Sequence, residues 1–398
     1  MASLRSVFEE ADRLNNVIFS PIREVTDKAG RLQAEGRDVI YFSAGEPNFN
    51  TPEPIKQATI QAINDNFSHY CSNRGMIGLR REIAKKIQED TGVAYDPETE
   101  IIVTSSGAEA INNALLSSIS QGDEVLLFSP AFISYECLIH QCGGKVVYVP
   151  LKDTDGYQID VEQVEKRITG KTTMIVMNNP CNPTGAVFSS QSLEKLARLA
   201  VEHNLLVFAD EIYNRLVYDG ASFTSIASFP GMRERTIMMN GFSKTYAMTG
   251  WRVGYLAADK RMTGKIMKVH QYSTTTGVTF IQEGLARAMN LEDTRREVSD
   301  MVDAFARRRR LAMEKLDEIE GLSYVKPYGA FYIMVNVSST GLSGEEFAFR
   351  LLEEKYVAVV PAVGLGKECG DYIRLSYAAS DENLLRGFKR IKDFVEGL

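Results

Sequence analysis

The chain has 398 residues, of which 44% are hydrophobic and 24% charged, which is ordinary for a globular protein of two or three domains. The formal net charge of −7 argues against a nucleic-acid partner, because phosphate binding favours a basic surface. No apolar run approaches membrane-spanning length, and the charged segment 1–16 lacks the apolar core of a signal peptide.

The cysteines and histidines indicate a cytoplasmic protein without a metal centre. The five cysteines form an odd set without C-x-x-C spacing, which favours reduced thiols. The four histidines are scattered along the chain, so the sequence predicts no metal site.

From about residue 100, short apolar runs alternate with helical patterns such as 191–203. Each run is apolar on both faces, as expected for strands covered by helices on both sides. The pattern predicts an α/β fold, with a mostly parallel seven-stranded sheet sandwiched by helices. Such sheets bind ligands beyond the carboxyl ends of their strands. The runs are 101–104, 124–128, 145–149, 173–177, 205–209, 236–239 and 254–257.

The pattern changes after about residue 290, which predicts a smaller α+β domain. We expect a long charged helix over 291–320, three strand-like segments and a closing helix. The predicted division is an N-terminal arm with part of the small domain (1–45), a large domain (46–290) and a small domain (291–398). The segment up to about Tyr41 is expected to pack beside the small domain. The strand-like segments are 331–337, 357–361 and 372–377, and the closing helix is 382–398.

An arginine run, 307–310, lies within the long helix. Four consecutive residues point around a helix rather than along one side. The run therefore predicts a solvated helix rather than a nucleic-acid patch.

Two polar segments follow predicted strands. Thr-Ser-Ser-Gly-Ala-Glu-Ala (104–110) would expose backbone N–H groups at a helix N-terminus, a suitable seat for phosphate, although small residues also cap helices for structural reasons. Asn-Asn-Pro-Cys-Asn-Pro-Thr-Gly (178–185) predicts a rigid loop in which Asn182 offers a donor and an acceptor.

Three further side chains lie near strand ends. A carboxylate at Asp210 needs a cationic or hydrogen-bonding partner, and Tyr213, one helical turn later, would project to the same side. An N-cap is the structural alternative for Asp210. Phe132 could stack on a ring, although taken alone it is better explained by core packing.

Lys244 lies in the most informative stretch, 241–254, which reads Gly-Phe-Ser-Lys-Thr-Tyr-Ala-Met-Thr-Gly-Trp-Arg-Val-Gly. Its three glycines and the only tryptophan of the chain, Trp251, indicate close backbone packing rather than a surface turn. A crowded, cationic pocket favours the neutral amine, which suits a Schiff base with an aldehyde.

Together these segments describe a ligand with a flat aromatic ring, a phosphate, a basic ring nitrogen and an aldehyde, which matches pyridoxal 5′-phosphate. The chain resembles the class I aminotransferases, of the fold-type-I pyridoxal-phosphate superfamily. The resemblance covers nearly the whole chain in the expected order. It is carried by Ile22-Arg23, Ala44-Gly45-Glu46-Pro47, Tyr70, the 178–185 loop, the 241–254 stretch and 372–377.

The resemblance implies roles for the cofactor-binding residues. Lys244 would form the Schiff base and then move a proton between the substrate Cα and the cofactor C4′. Asp210 would keep the pyridine nitrogen protonated. Tyr213 and Asn182 would bond the ring's 3′-oxygen, and Phe132 would stack over the ring. The phosphate would be held by Ser106, Gly107, Ala108, Ser243 and Arg252.

The resemblance also implies how substrate and partner subunit bind. Arg374 would clamp the substrate α-carboxylate, aided by Asn182, the backbone of Gly45 and the neighbouring Phe132. Tyr70 would reach the phosphate of the neighbouring subunit, which implies a homodimer with shared active sites.

One departure leaves the substrate open. Aspartate-specific relatives carry an extra cation, either near the position of Val269 or at that of Ala108. Lys268, His270 and Arg74 could substitute. The donors therefore include aspartate, aromatic and neutral L-amino acids.

The predicted function is ping-pong transfer of an amino group from such a donor to a 2-oxo acid. A C–S β-lyase or a decarboxylase on the same fold is the alternative, because one fold permits several bond cleavages. A transcription regulator with this domain is disfavoured by the acidic charge and by the short segment before the domain.

Overall fold

The computed structural model describes residues 10–19 and 21–398, without the side chains of residues 21 and 22. The prediction that segment 1–16 is not a signal peptide, and the resemblance at Ile22, therefore lie largely outside the described residues. The helices are α1 (Pro21–Ala34), α2 (Glu53–Asn64), α3 (Ile77–Thr91), α4 (Gly107–Ser118), α5 (Ser134–Gln141), α6 (Val161–Glu165), α7 (Ser190–Glu202), α8 (Lys260–Ser273), α9 (Thr279–Ala288), α10 (Glu292–Asp317), α11 (Gly344–Lys355) and α12 (Asp381–Val395).

The strands form three sheets. The bounds are β1 (Ile40–Tyr41), β2 (Ile101–Thr104), β3 (Glu124–Ser129), β4 (Lys145–Pro150), β5 (Thr172–Asn178), β6 (Leu206–Asp210), β7 (Thr236–Gly241), β8 (Gly254–Ala257), β9 (Ser323–Tyr324), β10 (Tyr332–Asn336), β11 (Val357–Ala358), β12 (Val360–Pro361) and β13 (Tyr372–Ser376). Among the described helices, none is long and apolar enough to cross a membrane.

The central sheet has seven strands in the order β2-β8-β7-β6-β5-β3-β4. Strand β8 runs antiparallel to both of its neighbours, and the remaining pairs are parallel. The predicted mostly parallel seven-stranded sheet is therefore confirmed. The carboxyl ends of β2, β5, β6 and β7 meet at one edge, next to the start of β8.

The central sheet is buried on both faces. Along β5, Met174 and Val176 pack into one hydrophobic cluster with helix α4, whereas Ile175 and Met177 pack into another with helix α7. Successive strand side chains point to opposite faces, so a strand that is apolar throughout needs a cover on each side. This explains why the apolar runs did not alternate with polar residues.

A smaller antiparallel sheet, ordered β12-β13-β10-β9, follows the long helix α10. Near the start of the chain, β1 pairs in parallel with β11, with Ile40 opposite Val357. The predicted strand over 357–361 was wrong in one respect, because the segment breaks at Val359 into β11 and β12. The two halves pair with different strands, β1 and β13, and a single straight strand cannot serve both sheets.

The prediction of a solvated arginine run was wrong for two of its four residues. Arg307 and Arg310 are exposed, whereas Arg308 and Arg309 are buried. Arg309 donates to the carbonyl of Pro327 and pairs with Asp219 at 3.0 Å. Residues three apart on a helix share a face, so Arg307 and Arg310 lie on the solvent side of α10, and Arg308 and Arg309 lie on the side that contacts protein.

We propose that the chain divides as 1–45, 46–290 and 291–398. The β1–β11 pairing supports joining the first segment to the third. Hydrogen bonds from the backbone N–H groups of Tyr328 and Gly329 to the Gly185 carbonyl, both 2.8 Å, attach the second unit to the third beside the site described below.

Candidate active site

The sheet edge at which β2, β6 and β7 end brings the predicted segments together. Gly241, the last residue of β7, lies opposite Gly254, the first residue of β8. Gly254 also lies opposite Thr104, which ends β2. A Cβ atom on Gly254 would lie only 2.8 Å from the backbone nitrogen of Gly107. The absence of a side chain there lets the Lys244 segment and the start of helix α4 approach each other.

Lys244 follows β7, and its amine lies in a buried pocket. The Nζ atom donates a hydrogen bond to the carbonyl oxygen of Gly45 and lies 5.8 Å from the ring centroid of Phe331. Burial lowers the Lys244 pKa to about 8; the charge of Arg374 acts in the same direction, and that of Glu46 opposes it. At neutral pH roughly one-tenth of such an amine is unprotonated, far more than for an ordinary lysine. The pocket therefore favours the nucleophilic form.

Asp210, the last residue of β6, is a buried carboxylate with two hydrogen-bond donors. The Tyr135 hydroxyl donates to Oδ2 at 2.5 Å, and the Ile212 backbone N–H donates to Oδ1 at 3.0 Å. Burial raises the Asp210 pKa to about 6, although both donors and Lys244 oppose the shift. Within the described residues, Asp210 has no ion-pair partner. A protonated ring nitrogen would provide the missing positive charge.

Tyr213 forms a buried pair with Tyr332 of β10. Their hydroxyl oxygens are 2.9 Å apart, and either can be the donor. Burial raises the Tyr213 pKa well above its usual value, and the nearby Tyr332 hydroxyl adds to the shift. Tyr213 therefore keeps its proton at neutral pH and can donate a hydrogen bond to a ligand oxygen.

Arg374, on β13, is a buried cation without an acidic partner among the described residues. Its Nη1 donates to Asn182 Oδ1 at 3.1 Å, and its Nη2 donates to the Ser43 carbonyl at 3.0 Å. Its Nε is buried and has no hydrogen-bond partner in the described part of the chain. The guanidinium carbon lies 4.5 Å from the ring centroid of Tyr332. A buried guanidinium left in this state suits an incoming carboxylate.

The start of helix α4 offers a seat for an anion. Ser106 is the N-cap residue, yet its side chain makes no capping hydrogen bond, so the hydroxyl remains available. Gly107 is half-buried, Ala108 is exposed and Ser243 is buried. Arg252 is exposed, and Nη1 donates to the Thr249 carbonyl at 2.8 Å. Helix N-terminal N–H groups and a free guanidinium attract phosphate.

Phe132, Gly45 and Tyr70 differ in how closely they join this pocket. Phe132 is half-buried, with its ring centroid 5.8 Å from that of Tyr135. Gly45 is joined through its carbonyl to Lys244. Tyr70 is 88% exposed and shares no contact with the described residues of the pocket. The single chain therefore brings together every predicted site residue except Tyr70.

Sequence reasoning missed three side chains that complete the pocket, namely Tyr135, Phe331 and Tyr332. Tyr135, in helix α5, lies three residues after Phe132, and its backbone N–H bonds the Phe132 carbonyl, so the spacing of a turn could have indicated it. Phe331 and Tyr332 were assigned only to a strand, and nothing local marks them as site residues.

Of the three substitute cations considered for a second carboxylate, only Arg74 has a buried nitrogen, Nη1, without a hydrogen-bond partner in the described part of the chain. His270 is fully buried and occupied by Glu109 at 2.8 Å. Lys268 is exposed on helix α8. Burial lowers the Arg74 pKa. The charge of Asp96, which is not a pocket residue, opposes this shift.

Comparisons with known proteins agree with this geometry. The family model described as aminotransferase class I and II matches residues 37–391. The chain belongs to this family, and it is a pyridoxal-phosphate-dependent aminotransferase.

Among its relatives, the chain is 41% identical over 386 residues to aromatic-amino-acid aminotransferase 2 of Thermococcus litoralis, covering 97% of this chain and 98% of the relative. It is also 41% identical to the aspartate aminotransferase of Pyrococcus abyssi, over 96% of this chain and 97% of the relative. The solved aspartate aminotransferase of Thermus thermophilus with maleate is 37% identical, with a TM-score of 0.92 over 98% of this chain and 100% of that chain. These names favour amino-group transfer over the lyase or decarboxylase alternative.

The residues present fit pyridoxal 5′-phosphate. A lysine with a lowered pKa, a buried carboxylate without a cation and an uncapped helix N-terminus lie in one pocket. The charge of Asp210 raises the Lys244 pKa and that of Lys244 lowers the Asp210 pKa, so the two groups lie within electrostatic reach of each other. Each feature is costly or unexplained in isolation, and each has a matching group on the cofactor.

Proposed function

We propose that Lys244, Asp210 and Tyr213 hold the reactive end of the cofactor. Lys244 accepts the proton from the substrate Cα, which its lowered pKa supports. Asp210 pairs with the ring nitrogen, and Tyr213 and Asn182 donate to the ring oxygen. When bound, the cofactor supplies an electron-accepting ring that stabilises negative charge at the substrate Cα. Phe132 packs against one face of that ring.

The phosphate is held, on this proposal, by five residues on two adjacent segments. The start of helix α4 provides backbone N–H groups and a hydroxyl, and the 241–254 stretch provides a hydroxyl and a fixed positive charge. The uncapped Ser106 side chain supports this assignment. The residues are Ser106, Gly107, Ala108, Ser243 and Arg252.

Substrate recognition depends on Arg374. Its burial without an acidic partner among the described residues is the single observation that carries the proposal. The guanidinium binds the α-carboxylate of the amino acid, with Asn182 fixing one of its nitrogens and the Gly45 backbone lying alongside. The same clamp binds the 2-oxo acid in the second half of the cycle.

The preferred donor, we propose, has an aromatic or neutral side chain. Ala108 and Val269 stand where a second cation would be needed, Lys268 is exposed on helix α8, and His270 is occupied by Glu109. A side-chain carboxylate would therefore enter without a counter-charge. The Tyr332 ring beside Arg374 and the Phe132 ring beside Tyr135 support an aromatic side chain instead.

A donor screen tests this preference. Phenylalanine, tyrosine, leucine and aspartate are supplied in turn with 2-oxoglutarate or pyruvate as acceptor, and kcat/KM is measured for each. We expect the aromatic donors to exceed aspartate by at least about tenfold. A kcat/KM for aspartate that equals or exceeds the values for the aromatic donors would contradict the preference. It would point instead to a second cation, such as Lys268 of a neighbouring subunit.

We also propose a cytoplasmic homodimer with shared active sites. A surface groove of about 590 Å³ is lined by apolar side chains that include Ile60, Ile63, Trp251 and Phe280. Tyr70 is 88% exposed on the same side of the chain as Phe280, which lines a second groove with it. Large exposed apolar groups of this kind favour a protein partner. The five cysteines are all unpaired, which supports a reducing compartment.

A further inference from the structure

A carboxylate lies directly behind the proposed phosphate seat. Glu109 is the third residue of helix α4, and its Oε2 accepts the Ser105 backbone N–H at 2.5 Å. Its Oε1 accepts from the Asn113 side chain at 2.9 Å. Glu109 thus fixes Ser105, the residue before the N-cap, and leaves the Ser106 side chain free. Its negative charge, however, opposes the binding of a phosphate dianion a few residues away.

The side chain of His270, on helix α8, lies next to the Glu109 carboxylate. The ring is fully buried, with Nδ1 2.8 Å from Glu109 Oε1 and Nε2 2.8 Å from the carbonyl oxygen of Asn73. A carbonyl can only accept, so Nε2 carries a proton. With Nε2–H donating to Asn73, the contact between Nδ1 and Glu109 must carry one further proton, so the carboxyl group and the ring form a hydrogen-bonded pair with no net charge.

The surroundings support the ionised pair. Burial alone would raise the Glu109 pKa, but the hydrogen bonds from His270 and Ser105 outweigh it, so the net Glu109 pKa is lowered. The Asn113 amide lies 3.4 Å from His270 Nδ1, and its shorter bond is to Glu109. The amide therefore stabilises the carboxylate rather than competing for the ring.

We propose that His270 is a positioning residue for cofactor phosphate, which neutralises Glu109 and fixes the start of helix α4. This inference rests on the proposed phosphate seat at Ser106, Gly107 and Arg252. His270 touches neither substrate nor cofactor. It acts through Glu109, whose bond to Ser105 fixes the loop that precedes the seat.

The same histidine joins the phosphate seat to a second segment. The Asn73 carbonyl that it bonds lies three residues after Tyr70, the side chain proposed to reach the phosphate of the other subunit. One buried ring therefore connects the chain's own phosphate seat with the segment offered to its partner. Loss of the ring would loosen both contacts to phosphate, without removing any group that contacts the substrate.

The inference is tested by comparing cofactors with and without phosphate. Full-length His270→Gln protein is depleted of cofactor and titrated with pyridoxal 5′-phosphate and with pyridoxal, and binding is followed by visible absorbance. We expect the Kd for pyridoxal 5′-phosphate to rise about tenfold and that for pyridoxal to change less than about twofold. A general loss of structure would weaken both equally and would overturn the inference.

A charge-removing variant provides the rescue. Glu109→Gln keeps an amide oxygen for the Ser105 N–H but carries no charge. In the Glu109→Gln, His270→Gln double variant, we expect the affinity for pyridoxal 5′-phosphate to return to within about threefold of the wild-type value. If the double variant binds no better than His270→Gln alone, charge neutralisation is not the role of this histidine.

Arg252→Gln separates this inference from the proposed seat. If Arg252→Gln weakens pyridoxal 5′-phosphate selectively while His270→Gln does not, the seat stands and the role of His270 is rejected. If Arg252→Gln leaves both affinities unchanged, the seat itself is wrong. Circular dichroism and thermal unfolding of each variant verify that the titrations report on folded protein.

Discussion

Arg374 stacks on Tyr332, with the guanidinium carbon 4.5 Å from the ring centroid. The Tyr332 hydroxyl is in turn 2.9 Å from that of Tyr213, so one aromatic ring supports both the proposed carboxylate clamp and the proposed donor to the cofactor oxygen. Substrate and cofactor groups are thereby fixed relative to each other before any ligand arrives.

Replacing Arg374 tests the clamp. In Arg374→Ala we expect kcat/KM for any amino donor to fall by about 10²-fold or more, mostly through KM, because the α-carboxylate loses a buried bidentate partner. Steady-state kinetics with two donors of different size measures the effect.

Arg309 provides the matched control for Arg374. It is equally buried, but it pairs with Asp219 and bonds the Pro327 carbonyl. Arg309→Ala should lower the free energy of unfolding by about 3 kcal/mol, because it leaves a cavity and an unbonded Pro327 carbonyl, and it should leave the KM of the folded enzyme unchanged. An Arg374→Ala enzyme with wild-type kcat/KM would remove Arg374 from the substrate site.

Lys244→Ala should abolish the visible absorbance of the cofactor-loaded protein and lower kcat at least about 10³-fold. Lys268→Ala, at an exposed lysine, is the control and should retain both the absorbance and the kcat.

In the wild type, the rate at which the depleted protein takes up pyridoxal 5′-phosphate should rise with pH and level off above about 8, where the Lys244 amine is neutral. An uptake rate that stays constant from about pH 6 to about pH 9 would contradict the lowered Lys244 pKa.

Asp210 and Glu211 are adjacent buried carboxyl groups with different expected roles. Asp210→Asn should lower kcat by about 10²- to 10³-fold, because a neutral amide cannot pair with a protonated ring nitrogen. In Glu211, burial raises the pKa to about 8, and the Ser225 hydroxyl donates to Oε1 at 2.6 Å. The neutral Glu211→Gln variant should therefore keep its kcat. If kcat fell equally in Asp210→Asn and Glu211→Gln, the loss would reflect disturbed packing rather than the charge of Asp210.

Glu211 also makes stability depend on pH. Its pKa rises from 4.5 to about 8 on folding, so the folded chain binds more protons than the unfolded chain between these values. The stabilising contribution is present at low pH and is lost as the pH rises through about 8. In urea unfolding, Glu211→Gln should match the wild type near pH 5 and exceed it near pH 8 by on the order of a few kcal/mol. Parallel stability curves would contradict the buried, protonated acid.

Subunit complementation tests the shared site. The Tyr70→Ala and Lys244→Ala homodimers should each be weakly active or inactive. A mixture of equal amounts, unfolded and refolded together, should regain about one-quarter of the wild-type activity, because about half of the dimers are mixed and each mixed dimer has one intact site. In the mixed dimer, one site combines Lys244 from one chain with Tyr70 from the other. If mixing restores nothing although light scattering shows dimers, Tyr70 does not act across the interface.

The sequence was sufficient where chemistry follows a strand directly. Asp210 ends a strand, and Lys244 and Asn182 follow closely after strands, so the convergence of strand ends at one sheet edge was enough to group them. Tyr135 and Tyr332 were missed because their partners are 75 and 119 residues away, and such contacts depend on how elements pack.

Two other differences have the same origin. The burial of Arg308 and Arg309 depends on partners such as Asp381 and Asp219, which are distant along the chain. The break at Val359 depends on the two sheets that share that segment. Hydrophobic periodicity indicates that an element exists, but it does not indicate which neighbour the element will meet.

The contact between Gly254 and Gly107 limits how this enzyme can be altered. Any side chain at position 254 would collide with the backbone at 106–107, so the segments that carry the amine and the anion seat behave as one rigid unit. Arg374 and Tyr332 come from a different sheet, outside that unit. Redesign of the donor range is therefore best directed at pocket walls on the β10–β13 side that do not contact Tyr213, so that cofactor binding is preserved.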